Sequence, residues 1–172
     1  LAVMDRVAGL KHAVFLDSLG PVKGGFTTYR EILETYDPLP REEYGLMDGL
    51  EVALILGTSG TTGSNKGVML THNNLIANMK GYISMTDLHS FDSMIMPVPL
   101  SHATGLMYGV IVPFITGMTS VLLERYTVDR CLDMIQQEKC TVIEGPTVIA
   151  YDVMRRIEER PDVDISSLRF FY

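Results

Sequence analysis

From Ser93 to Leu123 the chain carries no Asp, Glu, Lys or Arg. An uncharged stretch of that length has to leave water, either into a bilayer or into a protein core. Pro97, Pro99, Gly105, Gly109, Pro113 and Gly117 interrupt it, and His102 sits inside it. The segment therefore reads as strand (Ser93 to Val98), largely buried helix (Gly105 to Ile115) and strand (Met118 to Leu123) in a soluble core, rather than as a membrane span.

The flanks repeat the same alternation. Val3, Val7 and Leu10 have helical spacing, and His12 to Leu16 reads as a short buried strand. Thr27 is placed to cap a helix through Tyr29, Ile32 and Leu33 that Asp37-Pro38-Leu39-Pro40 stops. Val52 to Leu56 is a continuous aliphatic run, the pattern of a buried strand, and Thr71 can cap a helix with Leu75, Met79, Tyr82 and Ile83 on one face. Thr127 begins another helix, with Val128, Leu132 and Ile135 in one stripe and Asp129 at its positive end. Thr141 to Glu144 is a short strand, Pro146 fits the first turn of a helix that Pro161 closes, and Ser167 to Tyr172 is a last strand. Strands separated by helices imply an α/β fold, a mostly parallel sheet with helices on both faces and ligands at the carboxyl ends of its strands.

A formal net charge of −7 and a pI near 5.0, with no block of Lys or Arg, exclude a nucleic-acid surface. Cys131 and Cys140 are too few and too widely spaced for a disulfide framework or a C-x-x-C metal site, so buried thiols in a reducing, cytoplasmic setting are expected. Both ends read as cut, since the chain opens Leu1-Ala2-Val3 without an initiator Met and stops on Arg169-Phe170-Phe171-Tyr172.

The chemistry concentrates in Gly57-Thr-Ser-Gly-Thr-Thr-Gly-Ser-Asn-Lys-Gly67, which the sequence places between a strand and a helix. Its glycines allow successive N–H groups to face one concavity, Thr58, Ser59, Thr61, Thr62 and Ser64 add hydroxyl donors, and Lys66 adds a compact cation. Phosphate is the natural guest. A Walker loop from Gly60 fails where Asn65 and Gly67 stand, and a nucleophile elbow from Gly57 fails at Thr61.

The run Thr58-Ser59-Gly60-Thr61-Thr62-Gly63, followed by Lys66-Gly67-Val68 and Thr71-His72, resembles the signature of the adenylate-forming superfamily, which contains acyl-CoA synthetases, luciferases and peptide-synthetase adenylation domains. Two positions depart from the usual pattern: Gly57 stands where an aromatic is common, and Asn65 where proline commonly precedes the lysine. Both changes loosen the loop without removing a phosphate donor.

A lone histidine is more often structural than functional. In the acyl-CoA synthetases, however, a Pro-Leu-x-His segment flanks the acyl-carboxylate pocket, and Pro99, Leu100 and His102 match it. Gly145-Pro146-Thr147 resembles a turn near the same site, although a proline opening a helix explains it equally well.

The resemblance implies an ATP-dependent acid–CoA ligase, with a carboxylic acid of the fatty-acid type as substrate and ATP, Mg2+ and CoA as cofactors. It assigns Thr58, Ser59, Gly60, Thr61, Thr62, Gly63 and Lys66 to the pyrophosphate and His102 to the acyl group. No catalytic set is complete in the chain, and no metal ligand is assigned. It further implies part of the large N-terminal domain: residues 1–45 ending a preceding βα unit and linker, residues 46–172 holding the phosphate loop and the βα units after it. On the same resemblance the small C-terminal domain with the catalytic lysine is expected to be absent from these residues, and peripheral membrane contact is compatible. The alternatives are a noncatalytic phosphate- or nucleotide-binding module, an aryl-acid or peptide-synthetase-type adenylating enzyme, and a hydrolase using Ser59 or Ser101.

Overall fold

The computed structural model describes residues 14–16, 27–58 and 66–172, in two compact units that divide after Leu46. In the first, strand β1 (Val14–Phe15) pairs in parallel with β2 (Thr27–Thr28). Helix α1 (Tyr29–Thr35) follows directly. Its cap is Thr28 rather than Thr27. Glu31 stands three residues after Thr28 and returns its carboxylate to the Thr28 N–H at 2.7 Å, closing a capping box. From Thr27 the reciprocal position would be Arg30, which has no acceptor to offer. The helical spacing of Val3, Val7 and Leu10 lies outside the described residues.

The second unit begins with an element that sequence reasoning did not foresee. Strand β3 (Val52–Thr58) and strand β4 (Lys66–Thr71) form an antiparallel hairpin, with Thr58 opposite Lys66 and Val52 opposite Thr71. The glycine-rich segment thus joins two strands instead of leading from strand to helix, and β3, the strand before it, is not part of the parallel sheet. Nor is β3 buried, because only Leu54 and Leu56 are even partly covered. A bulge between Val52 and Leu54 marks the start of the ladder.

Helix α2 (His72–Thr86) is capped by Thr71 through a box with Asn74, and it ends at Asp87 in the left-handed conformation, φ 51°. Leu75 and Met79 face inward as the periodicity requires, while Asn74, Asn78 and Lys80 are exposed. Four strands, β5 (Ser93–Met96), β6 (Thr119–Leu122), β7 (Val142–Ile143) and β8 (Phe170–Phe171), then build an all-parallel sheet in the order β6-β5-β7-β8. They are shorter than the apolar runs that contain them.

Helices cover both faces of this sheet. Since successive strand residues point to opposite sides, Ile95 joins one core cluster while Met94 and Met96 join the other. Cys131, Leu132 and Ile135 of α5 (Val128–Glu138) and Ile149 and Val153 of α6 (Thr147–Glu159) pack on the Ile95 side. Met79 and Val112 pack on the methionine side. Thr127 caps α5 by accepting from the Arg130 N–H at 3.2 Å. Pro146 is itself the N-cap of α6, with extended ψ 151°, one position earlier than expected.

The uncharged stretch resolves as a strand, a broken helix and a strand. The helix runs as α3 (Ala103–Leu106), a wide π turn (Met107–Ile111) and α4 (Val112–Thr116). Pro113 has no N–H for the Gly109 carbonyl and its ring would crowd that oxygen in a regular helix; the wide turn relieves both, and Ser120 Oγ donates to the freed Gly109 oxygen at 2.6 Å. Among the described residues no helix is long and apolar enough to cross a membrane.

At the amino end of the sheet, buried Asp92 ties three segments together. It accepts from Thr141 Oγ1 at 2.7 Å, the His89 N–H at 2.9 Å and Arg169 at 2.6 Å. Burial pushes its pKa up, but the three bonds together outweigh that and hold it below the usual carboxylate range.

Candidate functional site

The carboxyl ends of β5 and β7 open into a cavity of about 700 Å³. Pro97 and Pro99 bracket the chain as it leaves β5, and α3 starts at once, with His102 as its N-cap. His102 Nδ1 accepts from the Thr104 N–H at 3.2 Å. With Nδ1 accepting that bond, Nε2 is the ring nitrogen left to carry an N–H donor. Gly105 is needed directly behind it, because a Cβ there would lie 2.1 Å from the Pro99 carbonyl oxygen.

Ser101 and His102 also line a second cavity of about 470 Å³ whose far wall is Gly57, Thr58 and Val68 of the β3–β4 hairpin. Ser101 and His102 are therefore common to the walls of both cavities. Thr58 Oγ1 donates across the ladder to the Lys66 carbonyl at 3.3 Å, which closes the described end of the hairpin. Ser59, Gly60, Thr61, Thr62 and Gly63 lie outside the described residues. Of the residues expected to hold phosphate, the structure thus brings Thr58 into one cavity with His102 and puts Lys66 opposite Thr58.

Gly145 and Pro146 line the larger cavity together with His102. Sequence reasoning missed the acid beside them. Glu144, only 7% exposed, receives a short hydrogen bond from the Tyr82 hydroxyl. Burial pushes its pKa up to about 7, against a smaller downward pull from the Tyr82 bond. Tyr82 itself is raised well above its usual range, by burial first and then by the bond to Glu144. Its ring is held between Tyr108, with centroids 4.6 Å apart, and Tyr172 at 5.4 Å. The available signal was an acid ending a strand whose other residues are apolar on both faces, a place where an unpaired charge is costly.

Among the described residues no group of three or more His, Cys, Asp or Glu could hold a metal ion. Cys131 and Cys140 are free and buried, and burial pushes the Cys131 thiol up to about 12. They are core packing groups.

Comparison with known proteins gives this geometry its context. The AMP-binding enzyme family model matches residues 14–172. The medium-chain fatty-acid–CoA ligase of Escherichia coli K12 is 47% identical over 171 residues, covering 99% of this chain and 30% of that protein. The solved N-terminal domain of FACL13 from Mycobacterium tuberculosis superposes with a TM-score of 0.70 at 23% identity, over 85% of this chain and 36% of that one. A fatty acyl-adenylate ligase from L. pneumophila, solved with acyl adenylate and pyrophosphate, gives a TM-score of 0.64 at 22% identity, over 74% of this chain and 24% of that one. At those identities the two structures show a shared fold. The chain spans about 30% of the length of the E. coli relative.

Proposed function

Because this chain belongs to the AMP-binding enzyme family, we propose that it forms the phosphate-loop and acyl-site part of an ATP-dependent acid–CoA ligase. The observation that carries this reading is the pair of cavities sharing Ser101 and His102, one walled by the hairpin that bears the glycine-rich loop and the other opening at the strand ends. A carboxylic acid in the larger cavity and a triphosphate along the hairpin would bring their reacting ends together beside His102. The resemblance of the loop to a phosphate clamp and the fatty-acid specificity in the name of the 47% identical relative support the same assignment.

In this mechanism a carboxylate oxygen of the acid attacks the α-phosphorus of ATP and the bond to the β-phosphate breaks, releasing pyrophosphate. The thiolate of CoA then displaces AMP from the acyl adenylate to give a thioester. The work for this chain is to hold two anions in line and offset their repulsion. Thr58, Ser59, Gly60, Thr61, Thr62 and Gly63 supply hydroxyl and backbone donors to the leaving pyrophosphate, and Lys66 supplies the opposing charge. His102, with its proton on Nε2, flanks the acyl carboxylate and can donate to it. Mg2+ would accompany the nucleotide phosphates, and no described residue cluster is assigned to it. The adenine pocket and the catalytic lysine fall to other parts of such an enzyme. Two buried free thiols suit a reducing compartment, the cytoplasm.

The test is acid-dependent pyrophosphate–ATP exchange by the full-length enzyme and by its Lys66→Ala form. Exchange should require a carboxylic acid and fall by two orders of magnitude or more, about 3 kcal/mol, when the lysine is removed. Exchange that is robust without any acid would overturn the reading.

A further inference from the structure

The large cavity does not have the walls of a plain hydrocarbon slot. Val98, Pro99 and Pro146 present apolar surface, but Glu144 stands among them with Thr104 and Tyr108 close by. Among the described residues Glu144 has no cationic partner, and the groups that face it are phenols: Tyr82 from α2 and Tyr108 from the π turn. One carboxyl oxygen, Oε2, takes the Tyr82 hydroxyl. The other, Oε1, makes no hydrogen bond to any described residue. It is not sealed either, since the one fully buried side-chain polar atom without a partner among the described residues is His72 Nε2. Oε1 is therefore an unpartnered acceptor that is not fully enclosed, on a residue that lines the cavity.

A purely structural tie between α2 and β7 would need only the bonded oxygen. A saturated alkyl chain laid against the second would strip its water and return nothing, the arrangement that selects most strongly against a ligand lacking a donor. Tyr82, clamped between two aromatic rings, cannot swing away to relieve the mismatch. We propose that Glu144, positioned by Tyr82, is a specificity-determining residue that selects carboxylic acids bearing a hydroxyl group on the acyl chain, the hydroxyl donating to Oε1. This rests on the ligase reading above and narrows its substrate class.

The experiment is pyrophosphate–ATP exchange by the full-length enzyme with octanoate and a series of monohydroxyoctanoates, read as ratios of kcat/KM within each variant so that the active fraction cancels. In the unmodified enzyme at least one hydroxy isomer should exceed octanoate by about tenfold or more. Glu144→Leu should lower that ratio at least about tenfold and bring octanoate level or ahead, whereas Glu144→Gln, which keeps an acceptor oxygen, should hold the ratio within about threefold. Octanoate preferred over every hydroxy isomer, or a ratio unchanged in Glu144→Leu, would overturn the inference while leaving the ligase reading in place. An enzyme that exchanges with no acid at all overturns both.

Discussion

Strands β3 and β5 are equally apolar in sequence and opposite in fate. Ile95 in β5 is 0% exposed, with helices packed on both sides of its sheet, whereas Ile55 in β3 is 63% exposed on the hairpin. The difference teaches that an apolar run declares only that a strand needs cover; what provides it is a matter of tertiary arrangement. β5 is central in a parallel sheet and takes its neighbours from 20 to 50 residues downstream, while β3 pairs with the next strand along the chain.

The comparison can be broken most directly at two glycines. Gly105→Ala should cost about 3 kcal/mol or more, or prevent folding, because its Cβ meets the Pro99 carbonyl oxygen at 2.1 Å; Gly57→Ala on the hairpin meets nothing within 4 Å and should change stability by less than about 0.5 kcal/mol. Urea unfolding of both variants gives the contrast, and equal effects would refute it. Next, Ile95→Ala should lose about 3 kcal/mol by opening a cavity, and Ile55→Ala less than about 1 kcal/mol. A large loss at Ile55 would mean that the hairpin face is packed.

Glu144 sharpens the same comparison by pH. Its pKa of about 7 in the fold lies above the ordinary 4.5, so its contribution to stability is present in full below 4.5 and is lost as pH rises through 7. Glu144→Gln should therefore stabilise the protein at pH 8 by up to about 2 kcal/mol, with the gain fading toward pH 4.5. Unfolding free energies of the two forms across that range check it, and a gain that grows toward acid would be the wrong sign. Ser120→Ala, which removes the hydroxyl donor to the Gly109 carbonyl, should cost about 1 to 2 kcal/mol.

Legibility followed range. Thr71 and Thr127 were readable as caps because capping is decided within three residues, and so was the end of α2 at Thr86-Asp87. The hairpin was not, since β4 is six residues long and its pairing with β3 must be closed across the glycine-rich segment before it exists. Glu144 was missed because its partner, Tyr82, lies 62 residues away on α2. His102 was singled out by motif, yet its place in the walls of two cavities appears in no local pattern.

Sequence alone determined the α/β class, the mostly parallel sheet with helices on both faces and the family to which the phosphate segment belongs, because these depend on periodicity and on residue types at close spacing. Tertiary structure decided that the phosphate segment joins the strands of a hairpin, that Ser120 of the following strand donates to the Gly109 carbonyl in the wide turn, and that an acid with an unpartnered oxygen lines the cavity beside His102. Those outcomes need groups remote in the chain to meet, and no local preference carries that information.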